Sequence, residues 1–262
     1  MNKRCFDGLM HSGKPDLDAL YGIWSLQFIA SNSYAGWSDT SGMPTTSWYD
    51  NVAASYANSR GHLLLDHEAW PISTSQERQT NASRFVIIYQ ELKQRRPDLK
   101  IGFYEYTPKR DFFNSDPENP GYAAWQAENN DFSAMYPVVD FFAPSIYFFY
   151  TRSQGEPNSL NVPFAHDYFV SNINECKRIR ASHGRGQPIY PYVMPVRHDG
   201  AADLDLDVWI DMCRTAYLEA DGLILWGGYQ TAWDEFAPWW VNFKATFPFG
   251  DRTLLKPRAV RV

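Results

Sequence analysis

The chain has 262 residues and a formal charge of −6, with 44% hydrophobic and 21% charged residues, enough apolar material for one sizeable core. An acidic balance without any run of like charges speaks against a nucleic-acid binder and against a basic arm for a membrane surface. Three widely spaced cysteines, Cys5, Cys176 and Cys213, form neither a disulfide framework nor a CxxC metal signature, and no apolar run approaches the ~18 residues of a membrane span.

Residues 3–10 read as a first strand, weakened by two early charges and a glycine, and Ile23–Ile29 as a second. Residues 31–46, SNSYAGWSDTSGMPTT, are rich in Ser, Gly and Asn and predict a loop, long enough to suit a functional role. Ser47–Ser59 reads as a helix. Gly61 opens GHLLLDHEAW, where His62–Leu65 is a mostly apolar run suited to a buried parallel strand. That strand ends in Asp66 and Glu68, with Trp70 and Pro71 beyond. The spacing of Phe85, Ile88 and Leu92 predicts a helix over Ser75–Arg96, stopped by Pro97.

Lys100–Tyr106 is the next strand, followed by a Pro/Asn/Asp-rich loop through Gly121 and a helix over Ala123–Tyr136. Asp140–Tyr147 is a strand made irregular by Pro144. A loop to Asn161 leads to a helix over Phe164–Ala181, a strand over Pro188–Met194 and a helix over Asp205–Glu219. Gly222–Trp226 is the last strand, and Thr231–Thr246 the last helix. Repeated strand-then-helix order predicts an α/β fold with a parallel sheet under helical cover. Right-handed crossovers can close such a sheet into a TIM-like (β/α) barrel, here with room for a distorted form of seven strands. With no repeat, linker or composition shift, a single catalytic domain over residues 1–262 is expected.

In an extended strand alternate side chains share a face, so Asp66 and Glu68 point one way and His67 the other. Active sites of such barrels sit at the carboxyl ends of the strands. The acid pair reads equally as a catalytic couple or as the start of the following helix, an Asp cap with a first-turn Glu. The other strand ends carry Tyr104, Glu105 and Tyr106, then Tyr147, then Tyr192, then Trp226. Tyrosines can hydrogen-bond a developing charge, and an indole can floor a sugar ring. The alternative for each is a core ring with its polar atom at the rim. Lys109-Arg110, Arg152 and Arg197-His198 follow strand ends and could hold uronate carboxylates, or simply be solvated loop charges.

Taken in order, LLLDHEAW, GFYEYTP, FFAPSIYFF, PIYPYV and ADGLILWGG resemble the strand ends of the hyaluronidase family of glycoside hydrolases, in a stripped-down form. GMPTT resembles a turn the family carries ahead of its acid strand. The resemblance implies a glycosidase acting on a β-linked N-acetylhexosamine polysaccharide by a retaining, substrate-assisted route. It implies Glu68 as the general acid, with Asp66 and Tyr147 holding the substrate's acetamido group and Trp226 packing against it. Tyr192, Tyr104, Tyr106, Glu105, Trp70 and Arg197 are the further residues expected at the substrate. No cofactor and no metal are implied, and the expected partner is a polysaccharide or oligosaccharide, with no nucleic acid and no membrane.

The chain departs from the family pattern in three ways. It shows no disulfide pattern, it has Arg197 where the family has a tyrosine, and it carries an extra carboxylate at Glu105. Glu105 could face the pocket and act as nucleophile or base in a double displacement, or point outward and pair with a helix arginine. A non-catalytic carbohydrate-binding barrel is the other reading, motivated by Arg197. A metal hydrolase using Asp66, His67 and Glu68 lacks both geometry and an HxH or HExxH spacing. The first residues, MNKRCFDGLMHSG, hold no signal-peptide core, but a trimmed chain would read the same, so the compartment stays open: cytoplasmic as it stands, secreted or periplasmic if trimmed. The oligomeric state is equally open.

Overall fold

The computed structural model describes residues 3–30, 33–37, 42–55, 61–147, 162–197, 203–227 and 231–247. Two parallel sheets run through these residues. In one, β1 (Arg4–Leu9) pairs with β2 (Trp24–Ser25) on one side and with β7 (Gly222–Gly227) on the other, and β6 (Tyr192–Val193) completes the row beyond β7. The other is β3 (Gln27–Ala30), β4 (His62–Asp66) and β5 (Lys100–Phe103), in chain order.

Both flanks of the two sheets are linked. Parallel bridges Tyr104↔Ala143, Phe142↔Ile189 and Ser145↔Tyr192 lay the 141–147 segment between β5 and the chain leading into β6. On the other flank the expected strand Ile23–Ile29 is split: its first half pairs with β1, its second with β4, and Leu26 N donates to the Asp7 carbonyl at 3.3 Å in between. A strand that changes partner half-way cannot keep one ladder, which is why it divides.

Side-chain parity sorts the core. Phe6, Leu26, Leu64, Tyr104, Phe141, Ala143, Tyr190, Tyr192, Ile224 and Trp226, drawn from every strand segment, form one buried cluster. Their sequence neighbours Cys5, Leu63, Leu65, Phe103, Phe142, Val193, Leu223 and Leu225 belong to a second cluster, shared with the helices. That is the period of two expected of strands buried on both faces.

The helices are α1 (Leu17–Tyr21), α2 (Thr46–Ser55), α3 (Ser75–Arg95), α4 (Tyr122–Asn130), α5 (Val162–His183), α6 (Leu206–Glu219) and α7 (Pro238–Thr246). α3 starts at a reciprocal Thr74–Glu77 capping box and buries Phe85, Ile88 and Leu92, as their spacing requires. Three of the helices differ from expectation. α1 is an additional helix, although its signals are in the sequence: Asp16 accepts from Ala19 N at 3.0 Å and Gly22 closes the end at φ 67°. α4 stops at Asn130, and turns rather than helix carry the chain to Val138. α7 begins at Pro238 and not at Thr231, because proline suits the first turn of a helix, while Ala232 is bridged to Ser12. No helix among the described residues is long and apolar enough to cross a membrane.

Candidate active site

Asp66 is the last residue of β4, and Glu68 lies two residues beyond it. Both line a cavity of about 300 Å3 at the carboxyl ends of the strands, together with Tyr104, Tyr147, Arg197 and Trp226. Phe28, Met194, Pro195 and Val196 complete the apolar part of its wall. His67 takes the opposite face and is buried, its ring 4.4 Å from Trp37 in near-parallel stacking and 4.2 Å from Trp70. Asp66, His67 and Glu68 therefore do not converge, and no group of three or more metal-ligating side chains occurs among the described residues.

The phenols are paired. The rings of Tyr104 and Tyr147 lie within 4° of parallel with centroids 6.4 Å apart, and their hydroxyls hydrogen-bond to each other. Arg110 donates to the Tyr104 hydroxyl at 3.2 Å. Burial pushes both phenols above their ordinary range, so they stay neutral O–H groups. Tyr192 is fully buried beneath them. Its ring stands nearly perpendicular to Tyr104 at 5.2 Å and to Trp226 at 5.5 Å, so it props the cavity floor rather than forming it. Trp226 in turn packs on Phe28, 4.4 Å away.

Besides Tyr192, Trp70 and Tyr106 were expected at the cleft and lie elsewhere. Trp70 is buried on the far side of the acid strand, against His67 and Phe85 and under the Arg84 guanidinium. Tyr106 packs on Phe85 and Phe132, and its hydroxyl donates to the His67 carbonyl at 2.8 Å. Both are core residues that brace the acid strand from behind. Lys109 is held by Glu128, whereas Arg152 and His198 lie outside the described residues.

Glu105 sits beside the acid pair. It has φ 67°, the single positive φ at a non-glycine among the described residues. Its carboxyl forms an ion pair with Arg110 at 3.2 Å. The arginine comes from the loop after β5 and not from a helix, which corrects the outward-facing alternative. Burial drives the Glu105 carboxyl up to about 8; Arg110 pulls it down, while Glu68 and Asp66 push it further up. Glu68 itself is solvent-exposed at the cavity.

His11 and Trp239 are among the cavity residues that sequence reasoning missed. His11, two positions past β1, stacks near-parallel on Trp239 at 6.0 Å and hydrogen-bonds Thr231 Oγ1 at 2.8 Å. Its place just beyond a strand's carboxyl end was a usable signal. Trp239, in the first turn of α7, had none, because only the path of residues 231–237 brings it over the cavity.

No family model matches this chain, and no curated protein matches it in sequence. Solved structures do. Bee venom hyaluronidase superposes with a TM-score of 0.60 at 16% identity, covering 86% of this chain and 91% of that one. The same enzyme in complex with a hyaluronic acid tetramer gives 0.61 at 15% identity, covering 86% and 90%. A GH18 chitinase from Pseudoalteromonas aurantia reaches 0.48 at 15% identity over 86% and 76%. The chain shares its fold with TIM-barrel glycoside hydrolases. At this level of identity the likeness speaks for the fold alone.

Proposed function

We propose that the protein is a glycoside hydrolase that cleaves a β-linked, N-acetylhexosamine-containing polysaccharide with retention of configuration, assisted by the substrate's own acetamido group. One observation carries the reading. Asp66 and Glu68, brought to one side by strand parity, meet two neutral phenols and an indole in a cavity of sugar-ring size. The shared fold with bee venom hyaluronidase, one structure of which holds a hyaluronic acid tetramer, supports it. So do the seven strand segments contributing to one interior cluster, which in this reading is the inside of a single seven-stranded barrel filling one domain.

In the first half-reaction the Glu68 carboxyl gives its proton to the leaving glycosidic oxygen. The acetamido carbonyl oxygen attacks the anomeric carbon, forming a cyclic intermediate, while Asp66 accepts from the acetamido N–H. Glu68, now a carboxylate, then takes a proton from the water that opens the ring and restores the acid. Tyr147 donates to the acetamido oxygen as charge develops there, and Trp226 stacks beneath the sugar. Arg197 stands on the same wall, suited to a uronate carboxylate on a neighbouring unit.

A double displacement with Glu105 as nucleophile fits less well. The Glu105 carboxyl is ion-paired with Arg110, and the cavity is lined by Asp66 and Glu68 without it. The test is release of new reducing ends from hyaluronan, chondroitin and chitin oligomers by the wild type beside Glu68→Gln. A fall of about 100-fold or more in the variant is expected if Glu68 is the acid. Equal turnover by both would sink the assignment. Binding of these glycans without turnover by a folded wild type would instead make the chain a carbohydrate-binding barrel.

A further inference from the structure

We propose that Arg110 is a positioning residue for Tyr147. By donating to the Tyr104 hydroxyl it sets the order of a hydrogen-bond chain, Arg110 to Tyr104 to Tyr147, so that the Tyr147 proton goes to the substrate rather than to Tyr104. This rests on the glycosidase reading above, in which Tyr147 meets the acetamido oxygen, and adds to it a residue outside the cavity wall.

The fold places Arg110 from two sides. At the preceding residue, Lys109 N donates to Asn129 Oδ1 and Trp125 Nε1 donates to the Lys109 carbonyl, both at 2.8 Å, so α4 grips the loop there. Glu105 holds the guanidinium itself, 3.2 Å from Nη2. It does so at φ 67°, where a regular continuation of β5 would turn its side chain away from the Tyr104 face. A residue with a Cβ adopts that conformation at a cost glycine would avoid, which points to a use for the carboxyl. Ionised or protonated, that carboxyl offers the guanidinium an oxygen. Neither Glu105 nor Arg110 is among the residues lining the cavity, so Arg110 acts on a substrate through the phenols.

The order of the chain follows from what each group can give. A phenol has one proton to donate and lone pairs to accept with. Between Tyr104 and Tyr147 either oxygen could be the donor. Arg110 breaks that symmetry: its Nη1 donates to the Tyr104 oxygen at 3.2 Å. A charged donor draws density from that oxygen, which makes its own O–H the better donor and its lone pairs the poorer acceptors. Tyr104 therefore donates to Tyr147. The Tyr147 O–H, polarised in turn, is kept for an acceptor in the cavity that both phenols line. Burial raises both phenols and Arg110 lowers both, the sense expected of a cation at the head of the chain.

The experiment has two arms on the full-length chain. In the reducing-end assay, Arg110→Met should lower kcat about tenfold with KM within about twofold. Added to Tyr147→Phe, the same substitution should cost no more than about twofold, because no Tyr147 proton is left to direct. The second arm needs no substrate. With 13Cζ-labelled tyrosine in equal parts of H2O and D2O, a slowly exchanging hydroxyl shows separate OH and OD signals. The split signal should belong to Tyr104, as identified by its loss in Tyr104→Phe, and should collapse in Arg110→Met.

An equal loss from Arg110→Met with and without the Tyr147 hydroxyl would make Arg110 a structural residue and overturn the proposal. So would a split signal on Tyr147 alone, or a Tyr104 signal that Arg110→Met leaves unchanged. If the wild type cleaves no polymer, the glycosidase reading fails, and the NMR arm still decides the order of the chain. If Arg110→Met does not fold, Tyr104→Phe carries the test: it keeps the ring, removes the middle hydroxyl, and should show the same dependence on Tyr147.

Discussion

Tyr147 reaches the cavity with its hydroxyl tied to Tyr104 and its ring stacked on the same partner. Packing therefore holds the ring, and the hydroxyl is what a substrate can use. Tyr147→Phe keeps the stack and removes the donor, so kcat should fall about 10- to 100-fold in the reducing-end assay while thermal stability stays close to wild type. An unchanged kcat would assign Tyr147 to the cavity wall alone. Legibility at this scale depended on how far strand parity could be counted. Asp66 and Glu68 were found because the alternation of β4 carries on to Glu68, two residues past the strand's end. Trp70 and Tyr106 were expected at the substrate from the resemblance; they follow the ends of β4 at Asp66 and of β5 at Phe103, and both turn into the core behind the acid strand.

Among the elements, β5 leaves no room for a side chain at Gly102. A methyl group added at Gly102 would meet the Phe141 ring at 2.4 Å, so the glycine leaves the space in which that ring fills the interior. Gly102→Ala should destabilise the fold by about 1–3 kcal/mol, read as a shifted urea midpoint at constant m. A midpoint unchanged from wild type would mean that Phe141 has room to move. The same logic explains which boundaries were legible. α3 announces itself by spacing, a capping box and Pro97. α7 does not, because Pro238 starts it in a tryptophan-rich stretch that has no helical period of its own.

For the whole molecule, the buried Glu105 carboxyl links stability to pH. Its value rises from an ordinary 4.5 to about 8 in the fold, so between those values the folded chain holds a proton that the unfolded chain has released. The resulting stability is fully present below about pH 4.5 and is lost as pH rises through about 8. His11, which burial pushes down, acts in the opposite sense: its contribution is lost as pH falls. Melting temperature measured across this range should therefore decline toward alkaline pH in the wild type and decline less in Glu105→Gln. Parallel curves would show that Glu105 titrates alike in both states.

The amino-acid sequence by itself determined the alternation of strands and helices and the common face of Asp66 and Glu68. Both depend on local periodicity, which a chain carries before it folds. Tertiary structure alone decided that Glu105 pairs with Arg110, that Arg110 ties it to the phenols, and that His11 and Trp239 line the cavity. Those placements depend on one backbone angle and on contacts across five to over two hundred residues of chain, and no local pattern encodes either.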